Sequence, residues 1–102
     1  MTQDPSKPKT FNETSRQISC VCYSVRHNLY FACTKNFKLL VFNEYLNCVE
    51  EMPLNMRLVQ QCMFVDETSQ LITAGIQGCF IVQLKISQPR QAILLNPKGD
   101  SI

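Results

Sequence analysis

The feature that most constrains the fold is an internal repeat. Residues 18–42 read ISCVCYSVRHNLYFACTKNFKLLVF, and residues 60–84 read QQCMFVDETSQLITAGIQGCFIVQL. Aligned without a gap, they place Cys20 on Cys62, Leu29 on Leu71, and Ala32 on Ala74, and we refer to this match as the cysteine alignment. Its offset, from position 20 to position 62, lies within the range of about 40–45 residues for a repeat built from four short strands. We therefore expect an all-β chain that uses one structural module twice.

In the first copy, short apolar segments separated by polar breaks predict four antiparallel strands. The predicted strands are residues 18–24, 29–33, 37–42 and, more weakly, 48–52, with turns around Arg26–Asn28 and Thr34–Asn36. The third strand is apolar at every position from Leu39 to Phe42, which is typical of a strand covered on both faces. Glu50 and Glu51 suit an exposed outer strand. Pro53 ends this strand because proline cannot donate to a ladder.

The second copy repeats this order. Its predicted strands are residues 58–65, 70–74, 79–85 and 91–95, the last ended by Pro97. The turn Gly75–Gly78 places Gly78 opposite Asn36, and both residue types tolerate a left-handed backbone. A helix around residues 55–65 stays open as an alternative, because Leu58, Gln61, Cys62 and Val65 fall at helical spacing.

These patterns divide the chain into four segments. We expect a flexible N-terminal segment at 1–17, a first unit at 18–53, a second unit at 58–96 and a frayed tail at 97–102. The N-terminal segment is polar and contains Pro5 and Pro8, which suits a flexible lead-in.

Composition argues against several classes of partner. The formal net charge is +2 and the lysines and arginines do not cluster, so we expect neither nucleic-acid binding nor attraction to an anionic membrane. No apolar run approaches the roughly 18 residues of a membrane helix, and the N-terminus lacks a signal-like apolar core. A cytoplasmic (or nuclear) location follows as the expectation, in which the six cysteines stay reduced.

The cysteines offer the sharpest local chemistry. Cys20 and Cys22 occupy alternate positions, so in a strand both thiols point to the same face. With two more soft ligands they could hold zinc, or they could act as a redox pair. The other four cysteines are isolated in the sequence, and packing of Cys62 and Cys79 as small buried residues is the simpler interpretation. We therefore expect no metal site and no cofactor.

No catalytic constellation is evident. His27, the single histidine, lies in a predicted hairpin and has no evident nucleophile and acid partner. Asp66 and Glu67 have too few oxygen ligands nearby for a calcium loop and are typical of a solvated hairpin tip. The turn Gly75–Gly78 has no lysine and no following helix, so it is not a phosphate loop. We expect the protein not to be an enzyme.

The order of strands and turns resembles the WD-repeat β-propeller family. The segment Leu71–Gly75 followed by Phe80–Leu84 is the better match, and Leu29–Phe42 is the weaker one. The resemblance covers residues 18–96 and implies two four-stranded blades of an incomplete propeller. Because propellers close with four to eight blades, it also implies that further blades or another chain cover the exposed blade faces.

The sequence departs from that family at its polar positions. Phe42-Asn43 and Leu84-Lys85 stand where the family has Trp-Asp, and the Gly-His opening is missing from both units. The family's buried hydrogen-bond network therefore cannot form, and both units are expected to depend on apolar packing alone.

A non-catalytic protein-interaction or scaffold module is the leading functional hypothesis. Its candidate contact residues are at the hairpin tips, because binding residues tend to lie on loops that a rigid body positions. The tips are Arg26, His27 and Asn28 in the first unit and Glu67, Thr68 and Ser69 in the second. A small self-associating β-protein and a thiol or zinc protein that uses Cys20 and Cys22 stay open as alternatives.

Overall fold

The part of the chain that the structure describes folds into strands. A computed structural model describes residues 17–56, 58–87 and 91–102, and every element among them is a strand. The first sheet contains β1 (Ile18–Ser24), β2 (Leu29–Thr34), β3 (Lys38–Phe42) and β4 (Cys48–Pro53). The second contains β5 (Val59–Val65), β6 (Gln70–Gly75), β7 (Gly78–Ser87), β8 (Gln91–Leu94) and β9 (Asp100–Ser101). The all-β prediction is confirmed, and the alternative of a helix at 55–65 is wrong because residues 59–65 form β5.

Each sheet is an antiparallel meander in chain order. The first sheet pairs β1-β2-β3-β4, and the second pairs β5-β6-β7-β8, with β9 also on β7. Short polar loops cause this order, because antiparallel neighbours can be joined by tight turns. As predicted for a strand covered on both faces, Leu39, Leu40, Val41 and Phe42 of β3 are all buried.

The structural repeat is one position shorter than the cysteine alignment indicated. Ile18 and Val59 begin equivalent strands, and Leu29 and Gln70 begin the next pair at the same offset. The hairpins between these strands agree, since Asn28 and Ser69, with φ of 54° and 55°, close them in the same way. The cysteine alignment is therefore out of register by one position, and one position moves every side chain to the other face of its sheet.

The second hairpin of each unit differs in length. Three residues separate β2 from β3, whereas Ile76 and Gln77 alone join β6 to β7. The left-handed residues of these turns are Phe37 (φ 64°) and Gly78 (φ 118°). The expected match of Gly78 with Asn36 is wrong for this reason. From this turn onward the offset between equivalent positions shortens by one more, so that Leu39 corresponds to Cys79.

The two sheets pack face to back. The inner face of the first sheet carries Leu29, Phe31, Cys33, Leu39 and Val41, and these residues form one core with residues of the second sheet. The buried part of that second layer comes from Val59, Leu71, Val82, Leu84 and Ala92. Phe31 stacks on Phe64 of β5 with ring centroids 4.6 Å apart.

The equivalents of those inner-face residues in the second sheet lie on its opposite side. Phe31 corresponds to Ile72, and Cys33 corresponds to Ala74, neither of which belongs to the core. The inner face of the first sheet is covered by the second sheet, while the equivalent face of the second sheet is left uncovered by the described residues. A further unit could therefore be added to the stack on that side.

The outer position of the second sheet is filled by two short strands in succession. β8 pairs with the end of β7, and β9 pairs with its beginning at Phe80 and Ile81. Between them the Asn96 side chain replaces the missing ladder bonds: Oδ1 accepts from Gln83 N at 2.6 Å, and Nδ2 donates to Ile81 O at 3.2 Å. The tail at 97–102, expected to be frayed, is thus partly a paired strand, and the second unit extends beyond residue 96.

The predicted flexible segment at 1–17 lies outside the described residues, except for Gln17. Across the described ranges, the chain contains no helix with the length and hydropathy needed to cross a membrane.

Candidate functional site

Three cysteines from three strands meet at the junction of the two sheets. Cys20 of β1 and Cys33 of β2 are direct cross-strand partners, which places both thiols on the inner face of the first sheet. Cys62 of β5 approaches from the second sheet, and its Sγ lies 3.2 Å from the Sγ of Cys20. All three Sγ atoms lie within 4.8 Å of one another. We refer to Cys20, Cys33 and Cys62 as the thiol cluster.

The thiol cluster is largely shielded from solvent but not closed. Cys33 is buried, whereas Cys20 and Cys62 are partly exposed, and all six cysteines of the chain are free thiols. Contact with Cys33 lowers the pKa of Cys20, but the contact with Cys62 and burial outweigh it and raise that pKa to about 11. Contact with Cys20, contact with Cys62 and burial all raise the pKa of Cys33. In the metal-free protein these two groups are therefore neutral thiols at pH 7.

The other cysteines stand apart from this cluster. Cys22 is on the same face as Cys20, as predicted. Its cross-strand partner in β2 is Phe31, and its thiol does not join the cluster. Cys33 and Cys62 are isolated in the sequence, but sheet register and sheet packing bring both to Cys20. Cys79 is exposed, so the expectation that it packs as a buried thiol is also wrong.

Hydrogen bonds among Ser24, Arg26 and Asp66 join the hairpin tips of the two units, and we refer to these three residues as the polar lock. Ser24 is fully buried, and its Oγ donates a hydrogen bond to Oδ1 of Asp66 at 2.5 Å. The second carboxylate oxygen of Asp66 accepts from the backbone N–H of Arg26 at 3.3 Å, and Arg26 Nη1 donates to the Asp66 carbonyl, also at 3.3 Å. The hydrogen bond from Ser24 is the main reason why the pKa of Asp66 lies below its usual value. The units are thus held together by more than apolar packing, contrary to the sequence expectation.

Serine, histidine and aspartate meet at this lock without forming a catalytic triad. The Oγ of Ser24 accepts a hydrogen bond from the backbone N–H of His27, not from its imidazole, at 3.2 Å. The His27 ring instead packs edge-on against Phe64, with centroids 6.4 Å apart. The Ser24 hydroxyl is fully buried, so a substrate cannot reach it, and no imidazole is placed to accept its proton.

The remaining tip residues are held by local bonds. Asn28 accepts from the Tyr23 hydroxyl and donates to Oε2 of Glu44 at 2.6 Å. In the second unit, Gln83 Nε2 donates to the carbonyl of Thr68 at 2.9 Å. Glu67 is exposed at the end of its hairpin. The structure therefore brings the two predicted tips to the same end of the molecule.

The uncovered face of the second sheet is the other feature with functional meaning. It is apolar in its centre, and we define this outer face by Met63, Ile72, Ala74, Cys79 and Ile81. Met63 is 56% exposed and Cys79 is exposed, while the other three are partly buried by their neighbours. The propeller resemblance led us to expect exposed blade faces, but sequence reasoning did not identify these residues, because the cysteine alignment matched their positions to the wrong side of the first sheet.

The thiol cluster did leave a signal in the sequence. A hairpin that closes between Ser24 and Leu29 pairs residues counted outward from its loop, and this count pairs Cys20 with Cys33. The contribution of Cys62 requires the packing of the two sheets, which no local pattern records.

Comparison with known proteins identifies no relatives. No model of a protein family matches the chain, and no curated protein sequence is significantly similar to it. The WD-repeat resemblance therefore depends on strand order and repeat length alone.

Proposed function

We propose that the chain is a non-catalytic protein-interaction module, built as a stack of WD-repeat-like β-units that offers the outer face of its second sheet to a further β-unit of the same kind. That unit belongs to a partner protein or to additional repeats. With six free thiols, the module suits a reducing compartment such as the cytoplasm.

The observation that carries this proposal is the equivalence of the two faces. Ile72, Ala74, Cys79 and Ile81 occupy the positions that Phe31, Cys33, Leu39 and Val41 occupy in the first sheet. In the first sheet these positions are fully buried against a second sheet. The second sheet covers this apolar face in the first unit, whereas none of the described residues covers the equivalent face of the second unit. Such an uncovered apolar face is suited to stacking on a further unit.

A repeat-like partner fits better than a second copy of this chain. Face-to-back stacking of two copies would need the opposite face of the first sheet, where Ala32, Leu40 and Phe42 lie. These three residues are already at most 3% exposed. Head-to-tail self-association is therefore less favoured, and sedimentation of the purified chain as a stable oligomer would contradict this part of the proposal.

Cys79 provides a native probe of the outer face. We would express the full chain with Tyr45→Cys in cells, treat the cells with a permeant alkylating reagent and quantify both thiols by mass spectrometry. Tyr45 is 76% exposed in the loop after β3, far in the chain from the outer face. If a partner covers the face for about nine-tenths of the time, Cys79 should react about tenfold more slowly in cells than in the purified chain.

The reactivity of the introduced cysteine supplies the control. Position 45 should react at the same rate in cells and in the purified protein. Equal reactivity of Cys79 in both settings would show that the face stays bare and would overturn the proposed function. Replacing Met63 with a photo-crosslinking residue then tests the occupant: a cross-linked β-repeat supports the proposal, and a helical partner contradicts its stated chemistry.

A further inference from the structure

We infer that the thiol cluster is a binding site for one thiophilic d10 metal ion, held by Cys20, Cys33 and Cys62 at the junction of the two sheets. The ion class follows from the ligands, because thiolates select Cu⁺ and Zn²⁺ over harder ions. This site is separate from the outer face, so either proposal can fail without the other.

The spacing of the sulfur atoms matches a three-ligand site. With metal–sulfur bonds of about 2.3 Å, three sulfurs arranged around one ion lie about 4 Å from each other. The three Sγ atoms of the cluster lie within 4.8 Å of one another, and those of Cys20 and Cys62 are 3.2 Å apart. The cluster is therefore close to the dimensions of such a site.

The scaffold holds two of the ligands in a fixed relation. Cys20 and Cys33 are opposite each other on paired strands, and Ser19 Oγ donates to the Cys33 carbonyl at 3.1 Å, which fixes the backbone beside both. Cys62 closes the site from the other sheet. The bound ion would therefore link the two units as the Ser24–Asp66 bond does at the hairpin end.

The ligand count favours Cu⁺ over Zn²⁺. Among the described residues no fourth cysteine, histidine, aspartate or glutamate joins this group. Cu⁺ accepts three thiolates in a plane, whereas Zn²⁺ is almost always four-coordinate and would need a water as its fourth ligand. On binding, each of the three thiols releases its proton to solvent, and three sulfur–metal bonds form without any change of oxidation state.

The test is a Cu⁺ titration of the reduced, full-length protein against a competing Cu⁺ chelator under anaerobic conditions. We expect one Cu⁺ per chain, bound by the wild type and by Cys22→Ser. Cys22 is the matched control because it lies on the same strand and face as Cys20. Cys62→Ser and Cys20→Ser should each weaken binding by at least about 100-fold, more than the loss of a supporting contact around a metal site.

A second measurement keeps the proposal falsifiable if a variant fails to fold. X-ray absorption of the Cu⁺-loaded wild type should show a first shell of three sulfur atoms. Two sulfurs, more than one ion per chain, or equal losses in Cys22→Ser and Cys62→Ser would overturn the site. A parallel titration with Zn²⁺ decides between the ions: tighter Zn²⁺ binding with an oxygen in the first shell would contradict the preference for Cu⁺.

Discussion

The buried hydroxyl of Ser24 donates a 2.5 Å hydrogen bond to the carboxylate of Asp66, and this bond joins the hairpin ends of two different sheets. Ser24 ends β1 and Asp66 directly follows β5. The same carboxylate also receives the backbone N–H of Arg26. One carboxylate therefore accepts hydrogen bonds from two donors of the first unit, and it does so across the interface between the repeats.

Loss of this bond should destabilise the fold in a pH-dependent way. Ser24→Ala should lower the free energy of unfolding by about 1–3 kcal/mol, because a hydrogen bond to a charged group is lost. Asp66→Asn keeps an acceptor oxygen but not the charge, so it should cost about 1 kcal/mol. The pKa of Asp66 is lower in the folded protein than in the unfolded chain. Its contribution is therefore fully present above the unfolded pKa of about 3.9 and is lost as the pH falls through the folded value.

Urea denaturation between pH 2 and pH 7 measures both effects. The wild type should lose stability across the acidic range, and Asp66→Asn should lose less of it there. Glu67→Gln, an exposed neighbour on the same hairpin, is the control. An acid transition as steep in Asp66→Asn as in the wild type would show that other carboxylates cause it.

Truncation of two neighbouring residues of β6 should cause losses of stability of different size, because the residues lie on opposite faces. Leu71 is fully buried between the sheets, and Leu71→Ala should cost about 2–5 kcal/mol. Ile72 faces outward, and Ile72→Ala should cost about 1 kcal/mol or less in the isolated chain. Chemical denaturation of both variants checks the assignment of faces, and a larger loss for Ile72 would refute it.

Asn96 should be essential for the second strand of the outer edge. Asn96→Ala leaves Gln83 N and Ile81 O without the partners that the side chain supplies. We expect a loss of about 1–3 kcal/mol and faster hydrogen exchange at the Ile102 amide, which donates to Cys79 O. Lys98→Ala, an exposed change in the same loop, should leave that amide as protected as it is in the wild type.

The cysteines should differ in their rates of alkylation in the metal-free protein. Cys79 is exposed and should be alkylated first, whereas Cys20, with a pKa raised to about 11, should react slowly at pH 8 and faster at each higher pH.

The raised pKa of Cys20 also predicts a loss of stability in alkaline solution. Because the folded state holds this proton after the unfolded chain has lost it, the free energy of unfolding should fall as the pH rises above about 8.5. Cys62→Ser should reduce that alkaline loss; an unchanged loss would assign it to other groups.

Much of the secondary structure could be predicted from local patterns. The runs Ile18–Ser24 and Leu29–Thr34 are short, rich in β-branched and aromatic residues, and bounded by polar turns, and each forms a strand close to its predicted limits. β7 runs on to Ser87, beyond its predicted end, because it pairs with two successive partners. No local signal at Asp100 indicates that it pairs with Ile81, since that pairing depends on the side chain of Asn96.

The register between the repeats could not be inferred from identical residues. The cysteine alignment matched Cys20 with Cys62 and Leu29 with Leu71, yet the hairpins superpose with Leu29 on Gln70. Cys20 and Cys62 are opposite each other in space because one unit's inner face packs on the other unit's opposite face. Two pairs matched by the cysteine alignment, Cys20 with Cys62 and Ser24 with Asp66, are neighbours across the interface. Structural equivalents are one position closer in the chain.

This shift of one position explains why the two copies look unrelated. A position that is interior in the first unit, such as Phe31, has its counterpart, Ile72, at the surface of the second. The two members of such an equivalent pair therefore meet different physical requirements, packing in one unit and contact with solvent in the other. In a short array of stacked sheets, residue identity is thus a poor guide to equivalence at the positions that join the units.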